Sequence, residues 1–569
     1  MKRIILSAVV ALSCNSILKA TSTDKIIAFY QIQDYESALK LIEKEESKDL
    51  INLKLEILSK LGLTQSALAQ INAIPGLFDL NKKENFLTLE SLAWSILLNQ
   101  KSSSEPIQIA SQVGAYLTRD AKAATLLKKN LTSSNSRLRA MAASFAAHFQ
   151  DPFLKEAVFQ RLKEEKNFEV KKELVSTAGK MKMKEIKPIL ESILLSSTAS
   201  DELKAQALIS FTEIYDKISL QQIQFFLNSD RFYFKKVGLR LLTGYEKFND
   251  EIFSEILRAL DDASSEVVQE ALILIGLCSN DIEFSESIKS KILKLCSHSH
   301  PYVNLFSLWA HSRIYKTVHP KLEEFLDHSK EEIRSLTACL ISCLGDESES
   351  ILNFGLKHKD CFVRINSALG LLQVGKNVKK ALDLLEKELT NSTQLWMLDQ
   401  STNPAFTMIM PSKVRHHPFI AAFPSVMDGM ARLRIIEKMA IYDSKKIKEP
   451  IKKLLAQKEA ALTFYTMSLL LQEDLENFDE LKELVQDKNP SVALAATLAL
   501  AFIGKDPDIA DKLISLFEQV SFEEKLHILE AIGSLGNRKM IPFLVEMMQK
   551  PFSSLQIVAA SALIQCLYH

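Results

Sequence analysis

Glycine and proline are scarce, at 15 each in 569 residues, against usual shares of about 7% and 5%. That excludes a chain built on glycine-rich phosphate loops, turn-dense β-sandwiches or long disordered linkers. Cysteine is scarce too: seven, irregularly spaced in so long a chain, make no disulfide framework. Cys339 and Cys343 fall four apart, on one face of a helix, where a small apolar side chain is the expected role. Net charge is missing, because 70 Lys and Arg offset 70 Asp and Glu. Nothing global therefore favours nucleic acid, an anionic membrane or an acidic substrate. The longest apolar run, Val492 to Gly504, falls short of the ~18 residues of a membrane span and reads as a buried helix.

Catalytic signatures are also absent, with no HExxH, GxSxG, CxxC or GxGxxG. Gly370 to Asn377 comes nearest to a phosphate loop, but such a loop follows a strand and ends in Ser or Thr to hold Mg²⁺. Here Asn377 stands at that place and the segment reads as helix. Six of the eleven histidines lie between His298 and His358, and Cys296, His298 and His300 alternate. An alternating run points its members apart, whereas zinc needs about four converging ligands; turn and surface histidines are expected. Glu323-Glu324, Glu331-Glu332 and Glu523-Glu524 fall near helix N-termini, where the dipole favours them. No metal, cofactor or catalytic set is expected, and the chain reads as a non-enzyme.

Residues 1–20 have the shape of a secretory signal: Lys2-Arg3, an apolar stretch from Ile4 to Leu12, then small and polar residues to Ala20. The expectation is export to the periplasm or envelope, with cleavage after Ala20. A lipid tether at Cys14, behind Ala11-Leu12-Ser13, is the alternative processing. Two other readings are a secreted effector with its own export address, and a cytoplasmic protein that keeps this segment as an amphipathic helix.

The strongest positive signal is an internal repeat. An apolar anchor, often followed by a basic residue, has a small residue four places on: Leu138 and Ala142, Leu203 and Ala207, Val267 and Ala271, Ile333 and Thr337, Val363 and Ser367, Val492 and Ala496, Leu555 and Ala559. Val170, Phe234, Val303, Ala431, Leu462 and Glu524 are weaker anchors, and every step but the one across the break lies between 30 and 36 residues. Pro188, Pro320, Pro450 and Pro542 follow their anchors by 17 to 19 residues, and proline suits the first turn of a helix. Each unit is therefore helix, turn, helix. Its apolar stripes can bury only against the next unit, so the units fold as a stack.

These units resemble HEAT repeats, especially the short bacterial type also found in phycobilin lyases. Asp360-Cys361-Phe362-Val363-Arg364, followed by Ser367-Ala368-Leu369-Gly370, is the nearest copy of that pattern. The resemblance implies an all-α solenoid, a superhelix of stacked helix pairs, over roughly 130–569. It also implies that the basic residue after the anchor ties its helix to the aspartate of a neighbouring turn. Phe29-Tyr30 before Asp34 to Leu39, and Leu61-Gly62 before Ser66 to Leu68, resemble tetratricopeptide halves. The expected division is a signal at 1–20, a TPR-like region at 21–125, HEAT-like repeats at 126–390, a degenerate repeat at 391–428, and further HEAT-like repeats at 429–569.

The break at 391–428 is the candidate site. Four prolines between Pro404 and Pro424 cannot sit in a regular helix, yet the segment is too apolar for a solvated linker. Either its Phe and Met residues pack on the solenoid wall, or the loop docks a partner. For docking, the candidates are Trp396, Met397, Phe406, Met408, Met410, Arg415, His416, His417, Phe419 and Phe423. The expected function is a scaffold, monomeric or part of a hetero-complex, holding a protein partner along a concave surface of second helices, on a curved rod on the order of 120 Å long. No nucleic-acid partner and no span after the signal are expected. The enzymatic alternatives that the fold resemblance allows are a bilin lyase, with an apolar cleft, and a DNA glycosylase, with a basic one.

Overall fold

The computed structural model describes residues 22–45, 50–74, 76–99, 104–196, 198–215, 220–413, 423–456, 479–504, 506 and 508–569. Those residues are almost entirely helical, an α-solenoid of helix pairs joined by short turns. None of their helices is long and apolar enough to cross a membrane. The repeat positions explain the pairing. Val267, Ile333, Val363, Val492 and Leu555 are buried, and so are Ala271, Thr337, Ser367, Ala496 and Ala559 four places on. A small side chain there lets neighbouring first helices approach closely, which a larger one would prevent. The anchor Leu462 lies outside the described residues.

Local signals set the helix ends. The side chain of Asn135 accepts from the N–H groups of Arg137 and Leu138, and Ser521 with Glu524 forms a capping box. Pro188 and Pro542 sit in the first turns of Lys187–Leu195 and Ile541–Met548. Pro450 lies in the first turn of Lys448–Leu455. Pro320 departs from this pattern by opening a 3-10 helix, Pro320–Asp327, which still buries Leu322 and Leu326.

The basic residue after the anchor works as the repeat pattern implies. Arg334 donates to the carbonyls of His328 (2.9 Å) and Ser329 (3.1 Å) and to the Asp360 carboxylate (2.8 Å). Arg364 repeats this with His358, Lys359 and Glu388, and Arg139 with Ser133, Ser134 and Glu165. After Val303 the residue is Asn304, whose amide reaches the same turn carbonyl, that of His298 (3.4 Å). Three of the histidines belong to these turns. His298, His328 and His358, spaced 30 apart, each accept at Nδ1 from the N–H two residues on. No group of three or more His, Cys, Asp or Glu side chains suited to a metal occurs among the described residues.

By packing, the chain divides into two units, Met1–Asp216 with Gly504–His569, and Lys217–Ile503. This differs from the division by repeat type, which set 429–569 apart as one block. In the first unit Phe522–Leu535 stacks on Ser553–Tyr568, which stacks on Glu105–Leu117, followed by Ser136–Ala146, Phe168–Lys180 and Asp201–Ile214. Lys83–Leu98 also packs on Ser553–Tyr568. At this seam Ser561 Oγ donates to the Gly114 carbonyl (2.7 Å), Tyr568 Oη to Glu90 (2.6 Å), and the Phe86 and Tyr568 rings meet edge to face. Ser553–Tyr568 thereby covers apolar side chains that Lys83–Leu98 and Glu105–Leu117 would otherwise expose.

The second unit is built around the first helices Phe232–Leu242, Ser265–Cys278, Pro301–Tyr315, Glu331–Ser342 and Cys361–Val374. Gly276 and Trp309 show how closely they pack, since a methyl group at Gly276 would overlap the indole ring. Cys339 and Cys343 do share a helical face, and burial raises both thiols above their ordinary value.

Candidate functional site

The break in the repeat is a β-hairpin. Residues Trp396–Asp399 pair antiparallel with Met408–Pro411, Trp396 opposite Pro411 and Asp399 opposite Met408. The prolines forbid the missing helix pair, and the hairpin forms a strap across the first helices of the second unit. Ile409 donates from its N–H to the Asn366 carboxamide (2.9 Å), which donates back to the Ile409 carbonyl (2.9 Å). The Asn366 side chain thus acts as a short piece of neighbouring strand. Phe406 lies edge-on to Trp309, with centroids 5.3 Å apart. Asn403 donates to Glu270 (2.6 Å), which also accepts from Arg240 (2.8 Å). At the other end the Trp396 N–H donates to Asp428 (2.7 Å), and the guanidinium of Arg432 lies 4.1 Å over the Trp396 ring.

Four of the docking candidates are buried within the second unit. Trp396, Phe406, Met408 and Met410 are each no more than 2% exposed. Phe406, Met408 and Met410 join the core of the second unit, and Met397 packs partly buried against it. An anchor that fills its own chain's core is not free to fill a partner's pocket. Phe423 opens the helix Phe423–Ala440. Arg415, His416, His417 and Phe419 lie outside the described residues.

The open concavity in the first unit was not anticipated. It is a groove of about 530 Å³ at the seam, within the range of ligand and peptide sites. Three helices line it with stripes at helical spacing: Pro106, Ile109, Ala110, Val113 and Leu117; Glu523, Leu526, His527 and Glu530; Ser554, Val558, Ser561 and Gln565. Its floor is apolar and its rim is charged. Glu105 pairs with Arg137 (3.2 Å), and His527 Nδ1 lies 3.3 Å from Glu530. Burial alone lowers the His527 pKa, but the carboxylates of Glu530, Glu523 and Glu524 outweigh it and raise the imidazole above its ordinary value. Sequence reading missed this site because its walls lie more than 400 residues apart along the chain.

Residues 478–564 match the family model for HEAT repeats. No curated protein matches the chain. Similar solved structures include importin beta in an ammonium sulfate condition, at 12% identity and TM-score 0.30, covering 90% of this chain and 82% of that one. Another is the UNC-45 chaperone, described for features critical for binding and folding muscle myosin, at 10% identity and TM-score 0.34, covering 96% and 85%. The tetratricopeptide likeness of the N-terminal helices and the phycobilin-lyase subtype stay as expectations from sequence. With anchors, small residues and turn arginines placed as a helical repeat requires, the chain is an α-solenoid whose last repeats, within residues 478–564, are HEAT repeats.

Proposed function

We propose that the protein is a non-catalytic scaffold of the periplasm or envelope, exported through residues 1–20, that holds a protein partner in the groove at the seam of its first unit. The observation that carries this reading is the groove itself: an apolar floor with a charged rim, on a scaffold that keeps Trp396, Phe406, Met408 and Met410 buried. Such a surface gains affinity by burying apolar side chains and gains orientation from the rim charges.

The test pairs capture with a groove substitution. The full chain and its Val558→Glu variant are compared as baits in the native cell extract, with their melting temperatures matched. Loss of a partner from the variant alone supports the reading, and identical capture by both overturns it. Fusing residues 1–25 to a reporter active only in an oxidising compartment tests export separately; an inactive reporter removes the envelope assignment and leaves the groove standing.

A further inference from the structure

The strap shows how this chain covers its own first-helix face, and the repeat supplies a common coordinate for comparing the two units. In the second unit the strap meets three positions, counted from each anchor. One place before the anchor, Glu332 holds Lys413. Three places after, Glu270, Phe306 and Asn366 hold Asn403, Phe406 and Ile409. Six places after, Trp309 packs on Phe406, and Cys339 Sγ lies 3.7 Å from the Thr407 carbonyl.

The same three positions line the groove of the first unit. One place before the anchors Glu524 and Leu555 are Glu523 and Ser554; three after are His527 and Val558; six after are Glu530 and Ser561. The groove is therefore the strap's face, and among the described residues none lies across it. Glu523 is exposed and occupies the position from which Glu332 holds Lys413, two residues past the second strand. Crossing three helices about 8–10 Å apart takes roughly six extended residues.

We infer that the groove takes an extended segment of a partner protein, apolar over about six residues and ending in a lysine that pairs with Glu523, in the way the chain holds its own residues 404–413. This rests on the scaffold reading above and names the partner's chemistry. Carboxylates at 105, 523 and 530 against Arg137 and His527 favour a basic rather than an acidic occupant.

The probe is a fluorescein-labelled peptide PAFTMIMPSK, the sequence of residues 404–413, titrated into the intact chain. Saturable binding is expected, at least tenfold weaker in Val558→Glu and in Glu523→Lys. A peptide carrying Lys413→Glu should bind tenfold more weakly to the native chain and recover on Glu523→Lys. Absence of saturable binding overturns the inference. So does sensitivity to Glu332→Lys instead of Glu523→Lys, which means that the peptide displaces the chain's own strap. Self-association abolished by Val558→Glu assigns the groove to a second copy and also overturns it. If Val558→Glu loses the native partner while the peptide never binds, the scaffold reading survives and this inference falls.

Discussion

Arg139 and Glu165 form the most enclosed of the turn pairs, with the Glu165 side chain almost fully buried. Burial pushes the Glu165 pKa up, but hydrogen bonds from Arg139, the Asn167 N–H and Arg161 prevail and hold it at about 2. Because the folded value lies below the ordinary 4.5, the stability it contributes is complete above about pH 4.5 and is lost as the pH falls toward 2. Urea unfolding at pH 5 and pH 3 should show a smaller acid loss in Glu165→Gln than in the native chain, alongside a lower stability of the variant at pH 5. A second residue-scale prediction follows from Gly276: Gly276→Ala should cost about 1–3 kcal/mol in urea midpoint analysis, because the Trp309 ring has to move out of a packed layer. The turn arginines were legible in the sequence pattern, but their carboxylates were only partly so. Arg334 finds the expected aspartate, Asp360, whereas Arg364 takes Glu388, since the strap replaces the turn that would have supplied one.

At the scale of the element, the strap is where propensity and packing diverge. Four prolines announced that no helix pair forms, and of the two readings left open the described residues favour packing on the wall. What the strap packs on was not legible, because its partners Asn366 and Glu270 lie 43 and 133 residues away. Two substitutions separate its apolar and polar fixings. Phe406→Ala should cost about 3–5 kcal/mol, read from denaturant unfolding, for the cavity left beside Trp309 and Phe306. Asn366→Leu removes both bonds to Ile409 with little change in volume. It should speed amide exchange at Ile409 while leaving exchange within Glu331–Ser342 near native rates; uniform acceleration in both places would mean that the strap opens only with the whole unit.

For the whole molecule, the consequential fact is that the first unit draws on both ends of the chain. Deleting residues 553–569 should therefore deprotect the helices Lys83–Leu98 and Glu105–Leu117, more than 400 residues upstream, in hydrogen exchange. Unchanged protection there would show the N-terminal helices to be stable without the seam. The sequence by itself determined the helix pairs, their period of some thirty residues, the small positions between neighbouring helices and the place where the repeat fails. Each of these is written within one or two turns of chain, as apolar spacing, a cap or a proline. Only the tertiary structure decided where the strap lies, which repeats meet at the seam, and that a groove opens between them. Those depend on which apolar faces find each other across hundreds of residues, and burial is blind to sequence separation.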